Sequence, residues 1–291
     1  MREQVELVRV AEPSERRLER CHGAAELRFA AMAAAGGSYV RHLYQRAPCR
    51  VLFPHGEEGD LLTAVLLTTS GGITGGDRLE LSIEALPGAA AVVTTQAAEK
   101  IYRSLGDDAR IDVALTAGAG AWLEWLPQET ILFDGARLAR RIELRVPPGG
   151  RLLASEMLVF GRTARGERFL RGRLHDGWRV RYGARLVWAD GLHLAGNLGE
   201  LIDHPAGFDG AVALATLVYA AEDAGHWLEA ARGLTARARP RAAATMVNGV
   251  LLVRLIGRDA QEVREAMVGL VTSLRAAIAG LPPRMPRVWA S

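Results

Sequence analysis

The sequence predicts a mainly β fold, layered and solenoid-like, whose stacked strands are closed by two helices near the C-terminus. Three features of the 291-residue chain predict it. Three segments alternate apolar and polar residues, each runs through a glycine turn into a more uniformly apolar segment, and the pair recurs about every thirty residues. An alternating strand can face water on one side, whereas a uniformly apolar one must be covered on both. The second strand of each pair is therefore expected to lie deep, in a stack of repeated units.

The first alternating strand is read over Arg78 to Leu86, with Leu79, Leu81 and Ile83 on one face and Arg78, Glu80, Ser82 and Glu84 on the other. Ile111, Val113 and Leu115 repeat the pattern between Ala109 and Thr116. Leu138, Ile142, Leu144 and Val146 repeat it again, opposite Arg137, Arg141, Glu143 and Arg145. Pro87-Gly88, Ala117-Gly118 and Pro148-Gly149 then turn the chain into AAVVTT, AWLEWL and RLLASEMLVF, the turn glycines lying 30 and 31 residues apart. Past about residue 205 the pattern changes. Val212 to Tyr219 reads as a strand, Glu222 to Leu234 as a helix, and Thr245 to Ile256 as strand material broken by the hairpin signal Asn248-Gly249. Asp259, with Glu262 three residues on, resembles a capping box; Val263, Met267, Leu270, Val271, Leu274 and Ile278 form one face of the helix that follows, and Gly280 with Pro282 ends it. No linker separates independent units. A single domain over 1–291 is expected, with a β-rich body over about 24–205 and an α+β part over about 206–291.

Composition narrows the function classes. With 49% hydrophobic and 24% charged residues the chain can bury a sizeable core. The charged N-terminus lacks an apolar signal core, and no apolar run reaches the ~20 residues of a membrane helix, so a soluble, cytoplasmic protein is expected. Cys21 and Cys49 form no CxxC and are read as free thiols. The pI near 9.2 comes with a net charge of only +3. Lys100 is the only lysine, which points to compositional bias rather than a nucleic-acid surface. One concentration stands out: Arg162, Arg165, Arg168, Arg171, Arg173, Arg179, Arg181 and Arg185, interleaved with Phe169, Trp178 and Tyr182. It reads either as a solvated strand face or as a surface for a polyanion or an acidic protein partner.

The loop Gly71-Gly72-Ile73-Thr74-Gly75-Gly76-Asp77 lies between two strand-like segments. It lacks the G-x-G-x-x-G spacing of a dinucleotide fold and the Gly-Lys-Ser/Thr ending of a P-loop, and its aspartate would repel phosphate. The favoured reading is a turn whose glycines take positive φ, with a nucleotide-binding enzyme as the weaker alternative. No nucleophile constellation is present, and the seven histidines share no metal-ligand spacing. What stands out is acids where the pattern predicts burial. Glu99 and Glu129 sit at one offset, eleven residues after Gly88 and Gly118; Glu156 interrupts LLASEMLVF, and Glu124 lies within AWLEWL. Burying an unpaired carboxylate costs several kcal/mol, so each must meet a cation, a donor or water. Lys100 and Arg103 are the nearby partners; a wet internal path offering oxygen ligands to a passing divalent ion is the sharper reading.

The segments TSGGITGGDRL, TTQAAEKIYRS, WLPQETILFDGA, GRTARGERF and the terminal PRVWAS resemble, in order and spacing, the UreD (also called UreH) family of urease accessory proteins. The resemblance runs from about Glu26 to Ser291 and places Gly71, Gly72, Gly75, Gly76, Lys100, Tyr102 and Arg103 in its motifs. It implies a scaffold rather than an enzyme. Such a scaffold binds apo-urease with UreF-like and UreG-like partners and assists nickel insertion, with no tightly bound cofactor, no nucleic acid and no membrane. A pure interaction scaffold with no metal path is the alternative within the family. The implied acidic path uses Asp77, Glu156 and Asp190, with Asp60 or Glu58 at its entrance. Glu99 and Glu129 join it from the burial pattern. The tail Pro286-Arg287-Val288-Trp289 and the last helix are expected on a partner-facing or closing surface.

Overall fold

The computed structural model describes residues 20–33 and 36–290. The reading of the charged N-terminus therefore falls mostly outside the described residues. In chain order the strands begin with β1 (His22–Ala31), β2 (Ser38–Arg46), β3 (Cys49–Leu52), β4 (Leu62–Thr68), β5 (Arg78–Ala85), β6 (Ala90–Thr95) and β7 (Glu99–Ile101). They continue with β8 (Ala109–Ala117), β9 (Trp122–Leu126), β10 (Thr130–Leu132), β11 (Arg137–Val146) and β12 (Arg151–Phe160). Then come β13 (Arg173–Tyr182), β14 (Arg185–Ala195), α1 (Leu198–Asp203), β15 (Ala213–Ala220), α2 (Leu228–Thr235), β16 (Arg241–Val247), β17 (Val250–Gly257) and α3 (Ala260–Ala279).

Two sheets face each other. The seven-stranded sheet runs β14-β13-β11-β8-β5-β1-β2, parallel except at its two edges. The other, ten-stranded, runs β16-β17-β15-β12-β9-β6-β4-β3, with β7 and β10 paired beside β12. Each repeat sends its alternating strand (β5, β8, β11) to the first sheet and its apolar strand (β6, β9, β12) to the second. The chemistry dictates this. The outer face of the seven-stranded sheet is solvated, whereas the ten-stranded sheet is covered on both sides. Leu81, Leu115, Leu144, Leu123 and Phe160 pack between the sheets. Leu153, Tyr219, Leu251, Met267 and Leu274 pack between the ten-stranded sheet and α3.

The stacked turns correct one expectation. Gly88 (φ 73°) and Gly149 (φ 76°) take the left-handed conformation, but the middle turn uses Gly120 (φ 68°) and not Gly118. Gly118 is needed for closeness: a Cβ there would meet the Pro87 nitrogen at 2.8 Å. The turns hydrogen-bond in a column, Gly88 N–H donating to Ala119 O and Gly120 N–H to Gly149 O, both at 3.0 Å.

Beyond residue 206 the chain extends the same sheet, since β15 pairs antiparallel with β12. The Asn248-Gly249 turn has φ 47° and 85°, as a two-residue hairpin requires. The expected 222–234 helix opens as a short 3-10 turn, Ala224–Trp227, and becomes α-helical only at Leu228. In α3 the Asp259 carboxylate accepts from the Gln261 and Glu262 N–H groups, and Gly280 (φ 65°) ends the helix. No described helix is long and apolar enough to cross a membrane.

Candidate functional site

A cavity of about 200 Å³ opens between the two sheets. Its mouth is made by Thr68, Ser70, Gly71 and Gly72 after β4, Gln96 to Lys100 around β7, and Pro127 and Gln128 after β9. Leu79, Leu81, Ile111 and Val113 wall it from the seven-stranded sheet, and Trp125, Thr130, Arg140 and Glu156 form its polar depth. The Ser70 hydroxyl is the one described buried side-chain polar atom without a hydrogen-bond partner, and it belongs to this lining.

The depth of the cavity is built by alternation. In β11 the inward positions are Leu138, Arg140, Ile142 and Leu144, so the period that buries the leucines also buries a guanidinium, 3% exposed. Arg140 Nε and Nη2 donate to the two Asp176 carboxylate oxygens at 2.7 and 3.0 Å, from the residue directly opposite on β13. Its Nη1 donates to Glu156 and, at 3.2 Å, to the Thr130 hydroxyl. Trp125 Nε1–H donates to the other Glu156 oxygen at 2.9 Å. One guanidinium thus serves two carboxyl groups. Burial pushes the Glu156 carboxyl above its usual range, Arg140 opposes that push, and the Asp176 carboxylate adds to it. The guanidinium itself is held charged by both acids against the cost of burial.

Glu99 lines the same cavity nearer its mouth. Burial raises its carboxyl to about 7, against the opposing Thr68 hydrogen bond and Lys100. Its carboxylate accepts from the Thr68 hydroxyl at 3.3 Å and from the Lys100 backbone. The structure therefore brings Glu99 and Glu156 together and separates the other acids from them.

Asp77 is a loop-closing residue. Its two oxygens accept the Cys21 and Thr74 N–H groups, each at 2.9 Å, which ties the glycine loop to the start of β1. Glu129 is not the counterpart of Glu99. In the β7–β10 ladder Glu99 lies opposite Thr130, and Glu129 meets Arg264 Nη1 of α3 at 2.6 Å. The register is 32 residues between β6 and β9, where Ala90 lies opposite Trp122, and 31 between β7 and β10, so an offset of 30 falls one residue short. Asp190 lies opposite the inward Trp178 of β13, so it points between the sheets, where it bonds to Arg254 of β17. Asp60 accepts from Arg284 at 2.9 Å, beside a smaller cavity that Arg275 also lines.

Glu124, fully buried, faces away from the cavity toward α3. Arg275 Nε and Nη2 donate to its oxygens at 3.0 and 2.9 Å, and Trp122 Nε1–H donates at 3.0 Å. Burial raises its carboxyl and Arg275 lowers it. The partners of Glu156, Glu129 and Glu124 are thus Arg140, Arg264 and Arg275, and Lys100 acts on Glu99 alone among the described residues. The tail packs down over this side of the sheet. Arg264 lies 4.5 Å from the Trp289 ring centre, Trp289 Nε1–H donates to Thr94, and Gln128 donates to Val288 O at 3.1 Å.

The glycine loop and the KIYRS segment are one unit. Ile73 bridges Ile101, Tyr102 hydroxyl donates to Gly71 O, and Thr74 hydroxyl donates to Arg103 O at 3.0 Å. A Cβ at Gly72 would meet Lys100 O at 2.7 Å and one at Gly75 would meet Ser104 Oγ at 1.9 Å; Gly76 has φ 88°. The loop leads into β5, so no helix N-terminus faces it and the nucleotide reading loses its geometry. Both cysteines are free, their thiols pushed up by burial to about 11 (Cys21) and about 12 (Cys49). Among the described residues no group of three or more His, Cys, Asp or Glu is arranged to hold a metal ion.

Comparison with known proteins agrees with the motifs. The family model for the UreD urease accessory protein matches residues 22–290. A urease accessory protein UreD of Magnetococcus marinus is 45% identical over 259 residues, 87% of this chain and 89% of that one. Counterparts from Azorhizobium caulinodans and Xanthobacter autotrophicus are each 43% identical, covering 91% and 97% of this chain and 95% and 94% of their own lengths.

Proposed function

The chain belongs to the UreD urease accessory protein family, and from that premise we propose that it is a non-catalytic scaffold for nickel insertion into apo-urease. In this reading it acts with UreF-like and UreG-like partners in the cytoplasm and offers nickel an internal acidic route past Glu99 and Glu156. The observation that carries the route is the inter-sheet cavity, where Glu156 with its shared arginine, the Glu99 carboxyl and an unsatisfied hydroxyl line one space.

Oxygen donors fit passage better than storage. Nickel is borderline in softness and takes imidazole, carboxylate and water, and an ion held tightly at one station does not move on. Glu99, raised to about 7, can exchange a proton for an ion near neutral pH, which keeps its grip weak. The role is tested by expressing the urease genes with nickel, with and without this chain, and measuring nickel per urease active site. Nickel is expected to fall to a small fraction without the chain and to return with it. Full metallation in its absence would overturn the role.

A further inference from the structure

The outer face of the seven-stranded sheet carries an open recess of about 600 Å³ that the metal route does not use. Its floor is Gly177 and Gly191, directly paired between β13 and β14, and the space above Gly191 is open to 4 Å. Across it runs a diagonal of three exposed arginines, Arg110 on β8, Arg141 on β11 and Arg179 on β13. None of the three makes an ion pair or side-chain hydrogen bond among the described residues. The other arginines of this face are committed: Arg78 to Glu80, Arg137 and Arg173 to Asp108, and Arg181 to Glu143. His175 and His193, far apart in sequence, stand opposite each other beside the diagonal with ring centres 5.9 Å apart.

We propose that this recess docks an extended acidic segment of a protein partner, its alternate carboxylates meeting Arg110, Arg141 and Arg179. The register sets successive arginines one strand over and two residues along, roughly 8 Å apart, close to the about 6.8 Å between alternate side chains of an extended strand. The glycine floor lets a backbone approach. The positive surplus is local, bordered by Asp108 and Asp112, so it offers no continuous track for a phosphate backbone. Of the arginine-rich run 162–185, only Arg179 belongs to the recess; Arg162, Arg168 and Arg171 pair with Glu167, Asp203 and Asp134.

The test is fluorescence anisotropy of the full chain with a labelled (Glu-Ser)5 peptide at low salt. Arg141→Gln/Arg179→Gln is expected to weaken binding about tenfold, two exposed charge pairs of this kind summing to that order. Arg28→Gln/Arg145→Gln, on the same face but outside the recess, is expected to leave it unchanged. All four side chains are exposed, and thermal melts check that folding is retained. Equal loss in both double variants, no loss in the first, or tighter binding of a single-stranded oligonucleotide through the same arginines would overturn the proposal.

Discussion

The ten-stranded sheet carries a buried carboxylate on each face, each with an indole N–H and an arginine from the layer it meets, yet the two sites differ in charge balance. Glu124 and Arg275 form a one-to-one pair, closed further by Arg275 Nη1 donating to the carbonyls of Pro282 and Arg284. Every group is satisfied, and the result locks α3 and the tail to the sheet. On the other face Arg140 serves both Glu156 and Asp176 and adjoins a cavity with another acid. The first arrangement holds structure together, whereas the second sets two acids against one arginine beside open space.

The largest expected effects separate these two roles. Glu124→Gln leaves Arg275 buried without its counter-charge and should cost about 3–5 kcal/mol in denaturant unfolding. Glu156→Gln leaves Arg140 its two bonds to Asp176 and should cost about 1 kcal/mol or less. Equal losses would break the comparison. Next comes Arg140→Met, which strands the Glu156 and Asp176 carboxyl groups without their cation; about 2–3 kcal/mol should be lost at pH 8 and less at pH 5, where Glu156, already pushed up by burial, takes up a proton.

A smaller effect tests the cavity through pH. The Glu99 carboxyl is near 7 folded and 4.5 in its ordinary state, so between those values the folded chain holds a proton that the unfolded chain has released. Stability from this group is therefore present below about 4.5 and lost as pH rises through about 7. Glu99→Gln should remove that slope and melt higher than the parent at pH 8, with the gap closing by pH 5. An unchanged gap would mean that Glu99 titrates as if in water. The smallest effect concerns the thiols. With pKa values of about 11 and 12, Cys21 and Cys49 should react with iodoacetamide at pH 7.5 far more slowly than a free thiol, a rate that mass spectrometry reads.

The strands, turns and last helix were legible because their signals are local: period-two alternation, glycines between runs, a cap and a terminating glycine. The partners of the buried acids were not, since Arg140 lies 16 residues from Glu156 and Arg275 lies 151 from Glu124. A signal for Arg140 was nonetheless present. Strict alternation from Leu138 to Ile142 puts it on the inward face. The equal offsets of Glu99 and Glu129 misled because successive strands are matched by register rather than by distance from a glycine: the repeat is 32 residues at β6–β9 and 31 at β7–β10, which sets Thr130 opposite Glu99. Asp77 sat in a conspicuous motif, but its neighbours' N–H groups had first use of its oxygens. The His175–His193 pair exists only because β13 and β14 fold back on each other.

The most direct measurement is nickel per active site in urease purified from cells making the Glu99→Gln/Glu156→Gln chain, beside the parent and a Glu129→Gln control whose acid lies outside the cavity. With equal amounts of chain recovered in the complex, nickel is expected to fall several-fold for the double variant and to stay at the parent level for the control. Full metallation with the double variant would contradict an internal route, and an equal fall with the control would contradict its placement in this cavity.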